Sequence, residues 1–270
     1  MGIMKGMNIL ETIFLGLTQG LTEFIPISSS GHLVIVQEIF SGASDHLFLE
    51  FINIGTLLAL VIFFWKQIVN ICKDVFLNKN IILARNILLT AIPAGVVGFL
   101  MSDFIGSSSF FGNVSVVAAT LAIVGAVMII LERLPKASLI DGGEKLSAKR
   151  AFIIGLVQMF ALIPGISRSG STIIAGRLAG LNPAKAAEYS FLASLPIMIG
   201  VTLKVFIKAS DRAYFFDHIN ILLLSNAVAF VSGLLAIGFL MRYLSKHSLA
   251  LFGWYRIGLA TVLTVYLLVQ

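Results

Sequence analysis

The sequence predicts an all-α polytopic membrane protein that forms one integral membrane domain over residues 1–270. Three observations support this fold class: the composition, a series of long apolar runs, and an internal repeat. Fifty-eight percent of the residues are hydrophobic and only 12% are charged, whereas an ordinary soluble domain has roughly 25% charged residues. Lipid rather than water is therefore the main solvent of this chain.

Six apolar runs mostly have about the length of a transmembrane helix. A helix needs roughly 17–25 apolar residues to cross a hydrocarbon core about 30 Å thick. We expect about six transmembrane helices, together with two re-entrant helical hairpins that carry the polar motifs. Acidic and amide side chains interrupt the N-terminal stretch, which we expect to belong to the mature fold rather than to a cleaved signal peptide. The apolar runs are 48–65, 87–101, 114–131, 196–207, 221–241 and 250–269.

The basic side chains are concentrated between the apolar runs. The net charge is +6, but this placement follows the positive-inside rule of membrane proteins, and we expect no nucleic-acid partner. The hydrophilic stretch 132–150 is predicted to be cytoplasmic, and the stretch 102–112, which contains no Lys or Arg, is predicted to lie outside. The single cysteine, Cys72, excludes an intrachain disulfide and a thiolate metal site.

An internal repeat covers nearly the whole chain. We place repeat one at about 8–133, a linker at about 134–149 and repeat two at about 150–270. Three spans in each half would give the two halves opposite orientations in the membrane, an arrangement that often places a site near the midplane of the bilayer. A shift of about 139 positions aligns Gln19 with Gln158, Ser28 with Ser167, Ser30 with Ser169 and Gly31 with Gly170.

The first polar motif runs from residue 19 to residue 32. Gln19 and Glu23 are four residues apart and share one face of a helix, where an ionised carboxylate in lipid requires a neutralising partner. Pro26 and Gly31 flank three serines, a composition that breaks a helix and offers hydroxyl and amide donors to an anion. The alternative is that these small residues only permit close helix packing, with the adjacent His32 as a local cap.

The second polar motif runs from residue 164 to residue 172. It places Arg168 among hydroxyl and glycine residues between two apolar runs. A guanidinium offers planar, bidentate donors to phosphate oxygens, and an unpaired one in lipid is costly. Phosphate binding is therefore predicted here, with a purely structural arginine as the alternative.

Three further charged residues lie in apolar surroundings. Glu50 and Glu188 occupy matching positions in the two halves, near the starts of spans. They could stabilise helix N-termini or pair with Arg168, Arg177 or His32, and both interpretations stay open. Arg256 has aromatic neighbours and is predicted to be an interface or packing anchor.

Together, the motifs at 19–32 and 164–172 and the segment 187–192 resemble the signatures of the undecaprenyl-diphosphate phosphatase family, the bacitracin-resistance type. The resemblance covers essentially all 270 residues. It implies hydrolysis of undecaprenyl diphosphate to undecaprenyl phosphate and inorganic phosphate, which recycles the lipid carrier of cell-wall polymer synthesis. It further implies a multi-pass location in the bacterial cytoplasmic (inner) membrane, an active site facing outward, and a divalent cation, Mg²⁺ or Ca²⁺.

The resemblance also implies roles for individual residues. In this chain the acidic motif has the Gln form, so Glu23 supplies its only negative charge. The attacking nucleophile is left open between Ser29, His32 and water. The implied catalytic residues are Glu23, Ser29, His32 and Arg168; the substrate-binding residues are Gln19, Ser28, Ser167, Ser169 and Thr172; the metal ligands are Glu23 and Gln19.

Two other function classes are compatible with the same pattern. A flippase or transporter of a polyprenyl phosphate or another anion would also use inverted repeats and a buried arginine. A purely structural membrane protein would leave Glu23 and Arg168 unexplained. The glycine pairs Gly95 with Gly98 and Gly233 with Gly238 would allow close packing within one chain or in a homodimer.

Overall fold

The computed structural model describes residues 9–40, 46–134 and 140–269. Residues 8 and 41–45 of repeat one, residues 135–139 of the predicted linker and residue 270 of repeat two lie outside the described residues. The described residues contain thirteen α-helices and no strand. The helices are α1 Ile9–Phe24, α2 Ser29–Phe40, α3 His46–Phe63, α4 Trp65–Phe76, α5 Ile82–Leu100, α6 Ser102–Ser107, α7 Val114–Arg133, α8 Ala148–Met159, α9 Arg168–Leu178, α10 Pro183–Ile207, α11 Ala209–Asp217, α12 Ile219–Leu244 and α13 Ala250–Val269.

Five of the described helices, α5, α7, α10, α12 and α13, are long and apolar enough to cross a membrane. The α3–α4 pair, which is bent by 71°, gives a sixth candidate span. The all-α, multi-pass fold is therefore confirmed. Helix α10 starts 13 residues before the predicted run 196–207, because Lys185 and Glu188 interrupt the apolar pattern of its first turns.

Four helices, α1, α2, α8 and α9, are too short to cross the bilayer. Helix α1 has 16 residues, α2 and α8 have 12 each and α9 has 11, so at 1.5 Å per residue they measure about 17–24 Å. Helices α1 and α2 pack against each other, and so do α8 and α9. Both pairs have the form that the predicted re-entrant hairpins require, and both polar motifs lie at their turns.

Helix α1 runs parallel to α12, a helix of the other half. Gly16 lies against Ser225, and Gly20, one turn further along α1, lies against Ser232. A Cβ atom at either glycine would collide with α12. The glycines therefore allow the two helix backbones to approach closely.

Helix α8 runs parallel to α5, again a helix of the other half. The amide of Asn86 donates to the carbonyl of Leu146 at 2.9 Å, and the hydroxyl of Thr90 donates to the carbonyl of Ala151 at 2.8 Å. Further along α8, Gln158 Nε2 donates to the Thr90 carbonyl at 3.0 Å. Each hairpin thus packs on a long helix of the opposite half.

Helices α7 and α13 cross at a pair of glycines. A Cβ atom at Gly125 would meet the carbonyl oxygen of Gly253, and one at Gly253 would meet the carbonyl oxygen of Gly125. This crossing places Arg256, one turn after Gly253, next to α7 and in the centre of the molecule. Of the two predicted packing pairs, Gly233 contacts Ala59 within the chain, whereas Gly95 has open space beside it.

Candidate active site

The turns of the two hairpins meet in the centre of the fold. Arg168, the first residue of α9, reaches the end of α1 and forms an ion pair with Glu23, with 2.6 Å between Nη2 and Oε1. The hydroxyl of Ser169 donates to the backbone carbonyl of Glu23 at 3.2 Å. The structure therefore brings together the two motifs that are 145 residues apart in the sequence.

Matching serines hold unusual backbone conformations at the two turns. Ser28 has a φ of 79° and Ser167 a φ of 76°, a left-handed conformation that costs a non-glycine residue about 1–3 kcal/mol. Each hydroxyl caps the following helix: Ser28 Oγ accepts from the amide of Gly31 at 3.4 Å, and Ser167 Oγ accepts from the amide of Gly170 at 3.0 Å. Both helices begin at the turns, where their first-turn amides form an anion-binding environment.

The carboxylate of Glu23 accepts hydrogen bonds from three side chains of the site. Its Oε1 accepts from Arg168, while its Oε2 accepts from Ser29 Oγ at 2.5 Å and from Gln19 Nε2 at 3.2 Å. The side chains of Arg168 and Glu23 are 16% and 12% exposed, so each charge neutralises the other in an environment with little water. Among the described residues Arg168 Nη1 has no hydrogen-bond partner although it is buried.

Helix α3 supplies a residue that the sequence analysis missed. Gln19 Nε2 donates to Asn53 Oδ1 at 2.8 Å, and Thr56 Oγ1 lies 3.4 Å from the same nitrogen. Asn53 is held in turn by a bond from its Nδ2 to the carbonyl of Leu49. The signal for Asn53 is one amide side chain within the apolar run 48–65.

His32 faces away from the Ser29 hydroxyl. Its Nδ1 lies 2.7 Å from the carbonyl of Ser28, which can only accept, so Nδ1 carries the proton. Its Nε2 lies 2.8 Å from the hydroxyl of Tyr255, and the two rings stack with centroids 5.7 Å apart. Glu23, rather than His32, therefore accepts the hydrogen bond from Ser29.

The remaining predicted binding residues lie on α9 or directly before it. Ser167 and Ser169 are joined through their hydroxyls at 3.2 Å beside the turn. Thr172 lies one turn further along, fully buried, with its hydroxyl 2.5 Å from that of Ser190 on α10 and also bonded to the carbonyl of Arg168. The hydrogen bonds of Thr172 thus link α9 to α10, one turn along α9 from Arg168.

Arg256 joins the two turns through their backbones. Nη1 donates to the carbonyl of Pro26 at 3.0 Å in the first turn, and Nη2 donates to the carbonyls of Ile166, at 3.0 Å, and Gly165 in the second. The side chain is fully buried. It is the packing anchor that the sequence predicts, but it acts at the candidate site itself, and the signal for this was a charge in the middle of an apolar run.

The paired glutamates lie away from the site. Glu50 forms an ion pair with Lys204 at 3.2 Å, and Glu188 forms one with Lys185 at 2.9 Å. Arg177 is paired with Glu132, at 3.6 Å. Lysines therefore occupy the places for which the sequence analysis considered Arg168, Arg177 and His32.

The oxygen atoms around Glu23 are of the chemical type that a hard divalent cation binds. Mg²⁺ and Ca²⁺ prefer carboxylate, amide and hydroxyl oxygens, and Mg²⁺ is often held by one carboxylate together with substrate phosphates. Within the described part of the chain, no group of three His, Cys, Asp or Glu side chains could hold a metal. Glu23 therefore fits a cation whose remaining ligands come from the substrate and water. Gln19 presents its Nε2, a donor, to Glu23 and Asn53, so it could bind the cation only through its Oε1.

Comparison with known proteins places the chain in a family. A family model described as bacitracin resistance protein BacA matches residues 12–262. The chain is 35% identical over 269 residues to the undecaprenyl-diphosphatase of Parvibaculum lavamentivorans, covering 97% of this chain and 98% of that protein. It is 37% identical to undecaprenyl-diphosphatase 1 of Clostridioides difficile, with 96% of each chain covered. Because the family model and the two relatives each match nearly the whole chain, this chain belongs to the bacitracin resistance protein BacA family.

Proposed function

We propose that this protein hydrolyses undecaprenyl diphosphate to undecaprenyl phosphate and inorganic phosphate. The observation that carries the proposal is the arrangement of three side chains: the Ser29 hydroxyl is 2.5 Å from the Glu23 carboxylate, which is 2.6 Å from the Arg168 guanidinium. A nucleophile, a proton acceptor and a phosphate-binding cation thus share one small site. The names of the relatives, undecaprenyl-diphosphatase, support the same substrate.

Ser29 is the proposed nucleophile. Its Oγ attacks the terminal phosphorus while its proton passes to Glu23 Oε2, the atom that already accepts its hydrogen bond. The bond between that phosphorus and the bridging oxygen breaks, and undecaprenyl phosphate leaves. Water then attacks the phosphoserine and releases inorganic phosphate, with Glu23 assisting the proton transfers.

Arg168 is the proposed clamp for the terminal phosphate. Its buried Nη1 has no partner among the described residues, so a phosphate oxygen would satisfy this donor as well as pair with the charge. The first-turn amides of α2 and α9 add donors that are fixed before the reaction begins. Together these groups stabilise the negative charge that develops on the transferred phosphoryl group.

Gln19 and Glu23 are the proposed ligands of Mg²⁺ or Ca²⁺. When bound, the cation would neutralise charge on the diphosphate oxygens. The carboxylate of Glu23 would then share its two oxygens among the cation, Ser29 and Arg168. A chelator should lower the rate if this assignment is correct.

The proposed location is the bacterial cytoplasmic membrane, with the site accessible from the outer side. The helix ends that meet the linker carry Arg85, Arg133, Lys149 and Arg242, which supports a cytoplasmic position for that side. Hairpin α1–α2 would then enter from the outside and α8–α9 from the cytoplasm. The polyprenyl tail would remain among the apolar helices while its diphosphate reaches the turns.

Transport alone does not require the Ser29 arrangement. An anion carrier needs positive charge and amide donors at its site, and Arg168 supplies these without Ser29. A hydroxyl hydrogen-bonded to a carboxylate at 2.5 Å is instead an arrangement that activates a nucleophile. Hydrolysis therefore accounts for one more feature of the site than the flippase hypothesis does.

The test is phosphate release by the purified protein in detergent. The substrate is a short polyprenyl diphosphate, assayed with Mg²⁺, with Ca²⁺ and with a chelator. We expect cation-dependent release that Arg168→Ala abolishes and that Arg242→Ala, which removes an exposed arginine from the end of α12, leaves intact. Binding of the substrate without release would refute the proposal and favour the carrier.

A further inference from the structure

Helix α4 differs in character from the helices that cross the membrane. It follows α3 after one residue, Phe64, and is bent by 71° from it. The 18 residues of α3 measure about 27 Å, nearly the thickness of the hydrocarbon core. Helix α4 therefore begins where α3 reaches the membrane surface, and it turns toward the plane of the membrane.

Apolar and polar side chains lie on opposite faces of α4. Trp65, Val69, Cys72 and Phe76 follow one another at intervals of three or four residues along one face. Trp65 is 59% exposed and Phe76 is 79% exposed. This row of four residues, called here the bare face, has no covering element among the described residues, whereas the adjacent Ile68 packs against the core.

Two lysines border the bare face. Lys66 and Lys73 are seven residues apart, so they lie two turns from each other on the same flank of α4. Both are exposed, and neither forms an ion pair within the described residues. A long lysine side chain at this border can place its ammonium group among lipid headgroups while its stem covers apolar surface.

We propose that α4 is an interfacial helix that binds anionic phospholipid. The bare face inserts into the upper acyl-chain region, and Lys66 and Lys73 contact the phosphates of anionic headgroups. Two arguments favour this occupant: the lysines match the charge of such lipids, and the charges of α4 would be costly if the helix crossed the hydrocarbon core. The proposal concerns a surface remote from Glu23 and Arg168 and is independent of the proposed phosphatase activity.

The single cysteine of the chain provides the probe. Cys72 is exposed on the bare face, so a spin label on the full chain reports the depth of that face in vesicles. Two control variants in a Cys72→Ser background calibrate the depth. Asn70→Cys lies on the polar face of α4, and Ile123→Cys lies in the middle of α7 with its side chain 63% exposed.

We expect the Cys72 label to lie between the two controls in vesicles of phosphatidylcholine and phosphatidylglycerol. The label should be shallower than the one at residue 123, yet reached by oxygen more readily than the one at residue 70. A label as deep as residue 123 would show that α4 continues the span, and a label as water-exposed as residue 70 would show that α4 leaves the membrane. Spin–spin coupling between labels, together with protection of the label from oxygen, would show a second copy on the bare face. Each of these three results would overturn the proposal.

The lipid charge is tested separately. Replacing phosphatidylglycerol by phosphatidylcholine should make the Cys72 label shallower or more mobile. Lys66→Gln with Lys73→Gln should remove this dependence on lipid charge, whereas Arg242→Gln with Lys246→Gln, which removes the same two charges around the end of α12, should preserve it. If the double variant responds to anionic lipid as the unaltered protein does, α4 does not bind the headgroups.

Discussion

At the scale of single residues, the site depends on one carboxylate with several partners. Glu23 accepts hydrogen bonds from Arg168, Ser29 and Gln19, and it is one of two opposite charges that are largely shielded from water. Removing either member of such a pair leaves the other charge uncompensated, at a cost of about 3–5 kcal/mol. Substitutions that keep the charge therefore test function better than substitutions that remove the charged side chain.

Arg168→Lys preserves the positive charge but removes the planar guanidinium group and its two parallel N–H donors. A lysine offers a point charge in place of two parallel donors, so it cannot bind Glu23 and a phosphate oxygen in the same geometry. We expect turnover to fall by about 10²–10³-fold, the usual effect of losing a transition-state donor. The measurement is the rate of phosphate release, with Arg242→Lys as the matched control. Turnover near that of the control would remove Arg168 from the reaction.

Ser29→Ala tests the nucleophile. If Ser29 attacks phosphorus, the variant should lose turnover by ~10³-fold or more, and the unaltered protein quenched during turnover should carry phosphate at Ser29. Ser30→Ala removes the exposed neighbouring hydroxyl and should retain most of the activity. Phosphate found on His32, or a fully active Ser29→Ala variant, would instead assign the attack to His32 or to water.

At the scale of the helices, the site exists only where four chain segments meet. The turn of α1–α2 and the turn of α8–α9 contribute the reactive groups, α3 holds Gln19, and α13 holds both turns through Arg256. The close crossing of α7 and α13 determines where that arginine lies. Substitutions in α13 should therefore affect stability and catalysis together.

Arg256→Met should destabilise the protein. The apolar side chain leaves the buried carbonyls of Pro26 and Ile166 without their donor, which should cost roughly 2–5 kcal/mol. We expect a lower Tm in detergent and a reduced kcat, because the two turns lose their common link. A variant with unchanged Tm and kcat would show that the turns hold each other without Arg256.

Two glycines on one helix provide a matched pair of substitutions. Gly253→Ala adds a Cβ atom that collides with the backbone of α7, whereas Gly258→Ala adds one where nothing lies within 4 Å. We expect the first variant to lower the Tm and the rate of phosphate release. The second should be neutral or slightly stabilising, because alanine is the better helix former by about 1 kcal/mol. Equal behaviour of the two variants would contradict the close crossing of α7 and α13.

At the scale of the whole molecule, the hairpin of each half packs against a long helix of the other half. Helix α1 packs along α12 and helix α8 along α5, so neither half forms a complete site alone. The proposed duplication with opposite orientations would bring the two turns together from opposite sides of the membrane. The same arrangement places the basic ends of α5, α7, α8 and α12 on one side, whereas the end of α10, with Lys204 and Lys208, lies on the other.

Cysteine accessibility tests this orientation. In the Cys72→Ser background, Asp211→Cys on α11 should react with a membrane-impermeant thiol reagent in intact cells, because in the proposed topology α11 follows the outer end of α10. Asn78→Cys, in the loop between α4 and α5, should react only after the cells are permeabilised. The reverse pattern would invert the proposed topology and place the site on the cytoplasmic side.

The apolar runs were enough to predict the class of the fold, and the charges within them were enough to predict the candidate site. Long apolar runs require helices in lipid, because every backbone polar group must find its partner within the segment. A charged residue in such a run is costly, so Glu23 and Arg168 stand out without any structure. Their close association confirms neither role but shows that both belong to one site.

The contacts between side chains follow from the packing of the helices and not from the sequence pattern. Asn53, Tyr255 and Arg256 reach the site from α3 and α13, and no local pattern specifies contacts between residues up to 230 positions apart. The orientation of His32 away from Ser29 depends on the same packing. The physical reason is that hydropathy and helix period determine where helices form, whereas the close fit of side chains between helices determines how they associate.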